Sequence, residues 1–223
     1  QTCALPISPG GVVGGDTLDI SVRLDAKSHT LITMPGASKF YRSSGPQARL
    51  SQHFYLDEGS TLEWLPQDTI IFPGANAALR SVFHLKASST LLAWELYCLG
   101  RPVINETFSH GTLESRLEVW VEDEPRLIER QHLGDGDLTP VAGHPWIGTL
   151  LFYPANEEHL DTVRALLAPL GHFAGATLTD ELLSVRFLSH DNLICQRVMR
   201  DIWQSLRPLL TTKTACSPRI WQT

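Results

Sequence analysis

The sequence predicts a mainly β protein whose strands stack in layers, like a β-helix, with two α-helices late in the chain. Three observations predict this class. Apolar and polar residues alternate from Thr17, similar polar turns recur about every thirty residues, and helical spacing of apolar residues appears after Pro154. This order is typical of an all-β domain with a helical appendage or of an α+β domain.

The first predicted strand begins at Thr17. Its side chains have the period of a half-buried strand. The apolar face carries Leu18, Ile20, Val22 and Leu24, and the polar face carries Asp19, Ser21 and Arg23.

Three polar turns each separate two predicted strands. They span residues 24–31, 56–62 and 85–91. The closing leucines, Leu31, Leu62 and Leu91, are spaced by 31 and 29 residues. Similarity at this period predicts units that stack on their neighbours, and Leu117–Leu127 is a weaker fourth copy. An antiparallel β protein with ordinary hairpins at similar intervals is the alternative.

Two helices are predicted after Pro154. Asn156 is suited to the N-cap of the first, which should end near residues 169–171. A strand over residues 178–188 follows. The second helix should open at Ser189 or Asp191 and stop at Pro208. The tail at residues 218–223 should be ordered, because a free Trp221 would expose a large apolar surface.

Composition narrows the class of protein. The chain has 223 residues, of which 43% are hydrophobic and 19% charged, which is ordinary for a folded domain. No apolar run approaches the roughly 20 residues of a membrane span. The net charge of -6 argues against a nucleic-acid binder. Four dispersed cysteines without a C-x-x-C pair predict a reducing compartment, and hence a cytoplasmic protein.

The first eight residues are predicted to be foreign to the natural protein. Residues 1–8 back-translate into a common sequencing-library adapter. We therefore expect them to be non-native, with a single domain over residues 9–223.

The glycine-rich run at residues 10–16 resembles a phosphate loop only superficially. A P-loop needs a lysine where this chain has Asp16, and it opens a helix, whereas a strand follows here. A tight turn is the simpler interpretation. Its glycines allow close approach of the backbone, which could leave Asp16 facing a passage.

The segment Ser38–Arg42 combines a hydroxyl, two cations and two aromatic rings. Nucleophilic catalysis is disfavoured, because Lys39 points away from Ser38 on a strand and G-x-S-x-G is absent. Lys39, Phe40, Tyr41 and Arg42 are candidate partner contacts, since aromatic residues and arginine dominate interface hot spots. A turn with half-buried aromatics is the plainer alternative.

The strand within Leu91–Pro102 is apolar on both faces except at Glu95. A buried carboxylate needs compensation, so either Arg101 pairs with it or it lines a polar interior shared with Glu129. The nine histidines form no H-E-x-x-H or H-x-H pair, so the spacing indicates no catalytic zinc centre and no enzyme.

Five motifs in this order closely resemble the urease accessory protein UreD family, also called UreH. They cover Ser8–Asp16, Thr33–Ser43, Leu62–Ala75, Trp94–Pro102 and Asp191–Trp203. Members of that family begin with several strands before the glycine turn, so the resemblance implies that this chain lacks its N-terminal strands.

The resemblance implies a non-enzymatic β scaffold that acts with UreF and the GTPase UreG to load nickel into apo-urease. It also implies a passage for transient Ni2+, without a permanently bound cofactor. Because carboxylates hold Ni2+ more loosely than imidazole or thiolate, they suit transit. The expected passage residues are Asp16, Ser38, Glu95 and Glu129.

The second helix and tail, residues 191–223, are the expected UreF contact, with Arg200, Trp203 and Trp221 as candidates. Two other function classes stay open. A stacked-β carbohydrate-active enzyme would place Glu95 and Glu129 across an exposed cleft. A generic β interaction module would have no polar interior path.

Overall fold

The computed structural model describes residues 2–4, 11–211 and 214–222. Within these ranges the chain forms fourteen strands and two α-helices. The strands are β1 (Thr2–Ala4), β2 (Thr17–Leu24), β3 (His29–Thr33), β4 (Ser38–Phe40), β5 (Ala48–Leu56), β6 (Thr61–Leu65), β7 (Thr69–Ile71), β8 (Asn76–Leu85), β9 (Thr90–Leu99), β10 (Thr112–Val121), β11 (Glu124–Gly134), β12 (Trp146–Tyr153), β13 (Ala174–Thr179) and β14 (Leu182–Ser189). The helices are α1 (Glu157–Leu167) and α2 (Asn192–Thr211), with short 3-10 helices at Pro102–Ile104, Thr139–Val141, Ala168–Phe173 and Arg219–Gln222.

The strands form two sheets. Sheet A has the spatial order β1-β3-β6-β9-β12-β14-β13, and β7 pairs with both β4 and β9. Sheet B has the order β11-β10-β8-β5-β2. The chain alternates between the sheets through the first three polar turns, and its parallel strands stack layer on layer. The predicted β-helix-like class with two late helices is therefore confirmed.

The polar turns stack in register. Leu24 lies opposite Leu56, and Leu56 lies opposite Leu85, in parallel pairs of sheet B. On sheet A, Leu62 lies opposite Leu91. Leu31 is displaced by one position, because the first turn is one residue longer and Thr30 takes the place opposite Leu62.

The fourth copy is not a complete coil. Strand β10 joins the stack, with Val121 opposite Leu85, but β11 then returns antiparallel along β10 in the same sheet. Glu122 and Asp123 both have positive φ, 49° and 65°. A two-residue turn of this kind keeps its strands side by side. The prediction of a fourth stacked unit is therefore wrong beyond Val121.

The first helix begins where it was predicted to begin. Asn156 caps α1: its side chain accepts a hydrogen bond from the backbone N–H of His159, whose ring accepts one in return. The single strand predicted over residues 178–188 is instead the hairpin β13–β14, turned by Asp180 and Glu181 at positive φ. Helix α2 also continues through Pro208, where it was predicted to stop.

The buried apolar side chains of the described residues form three clusters. One lies between the helices and sheet A and includes Ile202 and Trp203. Two lie between the sheets at opposite ends of the strands, around Phe54 and Phe83 at one end and around Phe40 at the other. Polar side chains occupy the level between the latter two clusters, which defines the region described below.

The beginning of the chain is described in part. Thr2–Ala4 form β1, which pairs in parallel with β3. Residues 1 and 5–10 lie outside the described residues. The adapter origin of residues 1–8 and the missing N-terminal strands stay predictions. No helix in the described part of the chain has the length and apolar character needed to cross a membrane.

Candidate functional site

A layer of polar side chains crosses the space between the two sheets. Strand pairing brings its members to one level: Gln52 lies opposite Ser81 in sheet B, while Thr149 lies opposite both Glu95 and Arg186 in sheet A. The alternation of each strand explains the placement, because these positions follow the inward-facing apolar ones at intervals of two. An apolar interior is thus interrupted by a polar belt.

Glu95 lies in the middle of this belt. Its Oε1 atom is 2.5 Å from the Ser81 hydroxyl, and its Oε2 atom accepts a hydrogen bond of 2.7 Å from the Tyr97 hydroxyl. Ser81 is also 3.0 Å from the side-chain oxygen of Gln52. No cationic side chain of the described residues forms an ion pair with Glu95. Burial raises the pKa of the Glu95 carboxyl, although the bonds from Ser81 and Tyr97 act in the opposite direction.

Glu129 has different surroundings. It accepts hydrogen bonds from Arg186, with the guanidinium Nε atom 2.8 Å from Oε2. The two side chains are 35% and 38% exposed, so the ion pair faces an opening rather than the dry core. This pair joins β11 of sheet B to β14 of sheet A. Arg186 was not singled out from the sequence, because 57 residues separate it from Glu129.

Two cavities share Glu95 and Tyr97. The larger has a volume of about 410 Å³ and is open, and its lining includes Glu129, Gln131, His172 and Arg186. The smaller has about 20 Å³, enough for one water molecule, and its lining includes Ser38, Gln52 and Ser81. The structure thus brings Ser38, Glu95 and Glu129 into one polar region between the sheets.

Asp16 is placed apart from these three residues. It is exposed and caps a turn, where its carboxylate accepts a hydrogen bond of 3.1 Å from the backbone N–H of Val13. The close approach expected of the glycine run is present, since a Cβ atom on Gly14 would lie 2.2 Å from the Ser43 hydroxyl. Asp16 does not line either of the two cavities. Its role in a passage stays a prediction.

Several candidate partner contacts are accessible. Lys39 and Tyr41 are half-buried, and Arg42 is exposed. Tyr41 also packs against Phe72, with ring centroids 4.9 Å apart. Arg200 is half-buried beside Trp221.

The structure corrects three other candidates. Phe40 and Trp203 are fully buried, so they belong to the core instead of a contact surface. Trp221 is ordered as expected, but it is also buried, because it packs between Trp94 and Trp203 and donates to the Thr33 hydroxyl.

The predicted partner of Glu95 is also wrong. Arg101 pairs with Glu106, five residues away, in an exposed ion pair. A second interior carboxylate, Glu63, was missed. It is fully buried on the helix side of sheet A, where it binds Arg207, His29 and Trp203. Its single position inside the apolar run of residues 62–65 was the available signal.

The described residues of the belt can be checked for a metal cluster and for a pair of catalytic carboxylates. Among the described residues, no group of three or more His, Cys, Asp or Glu side chains could hold a metal ion. Glu95 and Glu129 line the same cavity, and Arg186 forms an ion pair with Glu129 there. The side chains of the belt present carboxylate, hydroxyl and amide oxygens as ligands for a cation.

Comparison with known proteins identifies the family of the chain. A family model described as UreD urease accessory protein matches residues 3–222. Urease accessory protein UreD of Enterobacter sp. (strain 638) is 73% identical over 225 residues, covering 100% of this chain and 82% of that protein. The protein of the same name from Klebsiella aerogenes is 66% identical, over 100% of this chain and 83% of its own length. The UreD of Pseudomonas putida (strain GB-1) is 53% identical over 96% of this chain and 78% of its own length. On this evidence the chain belongs to the UreD family of urease accessory proteins.

Proposed function

We propose that this protein is a non-enzymatic scaffold for urease maturation, which conducts Ni2+ through its interior toward apo-urease. Its proposed partners are UreF, the GTPase UreG and apo-urease, and its proposed location is the cytoplasm. The observation that carries the proposal is Glu95, an interior carboxylate with no cationic partner among the described residues, which borders two cavities.

Transit requires that each oxygen bind the ion weakly enough to release it. Glu95 supplies a carboxylate, and its neighbours Ser81 and Tyr97 supply neutral hydroxyls. Ser38 lies in the smaller cavity and Glu129 in the larger one, so Ni2+ would meet oxygen ligands on both sides of Glu95. Carboxylates and hydroxyls are poorer Ni2+ ligands than imidazole or thiolate. The chemistry therefore suits passage over storage.

The proposed contacts with partner proteins involve those candidate residues that are accessible on the surface. Arg200 on α2 and the surface of that helix would meet UreF, while Lys39, Tyr41 and Arg42 form a separate contact surface. Exposed apolar side chains on α2, Leu193 at 70% and Leu209 at 57%, support an interface there.

Replacement of Glu95 tests the proposal. In cells that express the complete urease gene set, Glu95→Ala should lower urease activity and nickel content several-fold, whereas Glu95→Asp should be milder because it keeps the carboxylate. Co-purification with UreF and apo-urease should be unchanged. The matched control is Glu124→Ala, an exposed glutamate of β11. Full nickel loading with Glu95→Ala would refute the passage role.

A further inference from the structure

Three arginines lie side by side on the outer face of sheet B. Arg116 of β10 is the register partner of Arg80 on β8 and of Arg130 on β11. We call these three residues the arginine row. Like charges directly opposite each other on neighbouring strands destabilise a sheet. The row therefore needs compensation from within the chain or from outside it.

Compensation within the chain is incomplete. Glu118 pairs with Arg80 at 2.9 Å and with Arg116 at 2.6 Å. Arg130 is exposed, and no ion pair joins it to any described residue. One carboxylate therefore serves a row of three cations. The remaining positive charge faces solvent in a chain whose net charge is -6.

Glu118 also fixes the geometry of the row. It is only 1% exposed, and Trp120 donates a hydrogen bond of 3.1 Å to its second oxygen. Burial by itself would raise the pKa of Glu118, but the hydrogen bonds from Arg80, Trp120 and Arg116 outweigh it, so the pKa is lowered. The carboxylate thus stays charged and holds two guanidinium groups in place. Preorganised side chains lose less entropy when a ligand binds.

The row lines a depression of about 550 Å³. The same depression is bordered by Arg49, by His132 and by the carboxylate of Glu114, which lies 3.8 Å from the His132 ring. Three adjacent strands span about 10 Å. An extended peptide rises about 3.4 Å per residue, so two carboxylates on alternate residues lie about 7 Å apart and fit within this length. Guanidinium groups bind carboxylates through two parallel hydrogen bonds.

We propose that the arginine row, together with Arg49, is a docking surface for an acidic polypeptide segment of a partner protein. A segment with alternate Asp or Glu residues would supply the carboxylates that the row lacks. Nucleic acid fits less well, because Glu114 borders the depression and the whole chain is acidic. The surface is on the outer face of sheet B, and its depression shares the lining residues Ser115 and Gln131 with the larger cavity of the proposed Ni2+ passage.

Fluorescence anisotropy with a labelled ten-residue poly-glutamate peptide tests this proposal on the full chain. The test variant is Arg49→Glu/Arg130→Glu, which breaks no ion pair of the described residues and should leave the circular dichroism spectrum unchanged. We expect its affinity at low ionic strength to be at least about tenfold lower than that of the unaltered chain, about 1.4 kcal/mol. Binding by the unaltered chain should also weaken with added salt.

Two controls decide the interpretation. Arg197→Glu reverses an exposed arginine on α2 and should change the affinity less than about twofold, because its charge is remote from the row. Equal losses in this control and in the test variant, or no peptide binding at all, would overturn the proposal. So would tighter binding of a single-stranded oligothymidylate of equal charge at the same arginines, since that outcome assigns the surface to nucleic acid.

Discussion

Glu63 and Glu95 lie on neighbouring strands of sheet A, and their surroundings are opposite. Glu63 faces the helices and binds a guanidinium, an indole N–H and an imidazole, with the Arg207 Nε atom at 2.9 Å and the Trp203 Nε1 atom at 2.7 Å. Glu95 faces the space between the sheets and binds two hydroxyls. The first carboxylate has its charge compensated within the fold, and the second does not.

This difference separates a structural carboxylate from an available one. A buried charge with a complete set of partners connects the elements that supply them, and here it ties α2 to β3 and β6. A carboxylate that only hydroxyls satisfy keeps its attraction for a cation, and burial disfavours its charged form. The glutamate with the stronger contacts should therefore determine stability, and the one with the weaker contacts should determine function.

Removal of Glu63 should have the largest effect on stability. Glu63→Ala removes the carboxylate that accepts hydrogen bonds from Arg207 and from the buried Trp203 indole N–H, so the free energy of unfolding should fall by about 3–5 kcal/mol. Urea unfolding followed by circular dichroism measures it. Glu95→Gln is the matched control. At a pH below 4.5 it should change the free energy of unfolding by less than about 1 kcal/mol. Similar losses in the two variants would remove the distinction.

The sequence reveals the fold more completely than the site. Alternation in β2, the repeated turns and the Asn156 cap are local patterns, and the structure confirms each of them. The hairpins at Glu122 and Asp180 were missed, because nothing in the apolar pattern marks where a chain turns back instead of crossing to the other sheet.

Helix α2 shows a related limit. A proline inside a helix removes one hydrogen bond and disfavours continuation. Arg207, the residue before Pro208, is held by Glu63, and Leu206 is buried against sheet A. These tertiary contacts keep the last turn helical despite its local preference.

The site was predictable only in part for a similar reason. The apolar strand marked Glu95 as an interior acid, but Arg101 was the wrong partner because it lies beyond the end of β9. The partners that matter are distant in sequence: Arg186 is 57 residues from Glu129, and Arg207 is 144 residues from Glu63. Periodicity assigns a residue to a face of a strand, but it does not identify what packs against that face.

The pH dependence of stability sharpens the comparison further. The pKa of Glu95 is raised from its ordinary value of 4.5 by burial, so protonation favours the folded state. This contribution is fully present below pH 4.5 and is lost as the pH rises through the folded-state pKa. Relative to Glu95→Gln, the unaltered protein should therefore lose stability over that range, in urea unfolding at a series of pH values.

Glu106→Gln provides a control of opposite sign. The hydrogen bond from Arg101 lowers the pKa of Glu106, so its contribution is present above pH 4.5 and is lost as the pH falls through the folded-state pKa. Relative to this variant the unaltered protein should gain stability as the pH rises, by a small amount because the pair is exposed. The same sign for Glu95 and Glu106 would contradict the assignment of Glu95 as an uncompensated interior acid.

Replacement of Arg186 should have the smallest effect on stability, and it tests directly whether a missing cationic partner makes a carboxylate available to a metal ion. Its pair with Glu129 is about one-third exposed, so Arg186→Gln should lower the free energy of unfolding by less than about 1 kcal/mol. The same change removes the cation that compensates Glu129 and turns it into a second available carboxylate in the cavity of Glu95. Calorimetric titration should then show tighter Ni2+ binding than in the unaltered protein, and the gain should disappear in Arg186→Gln/Glu129→Gln. Unchanged Ni2+ affinity would mean that compensation by Arg186 does not set how strongly the cavity attracts a cation.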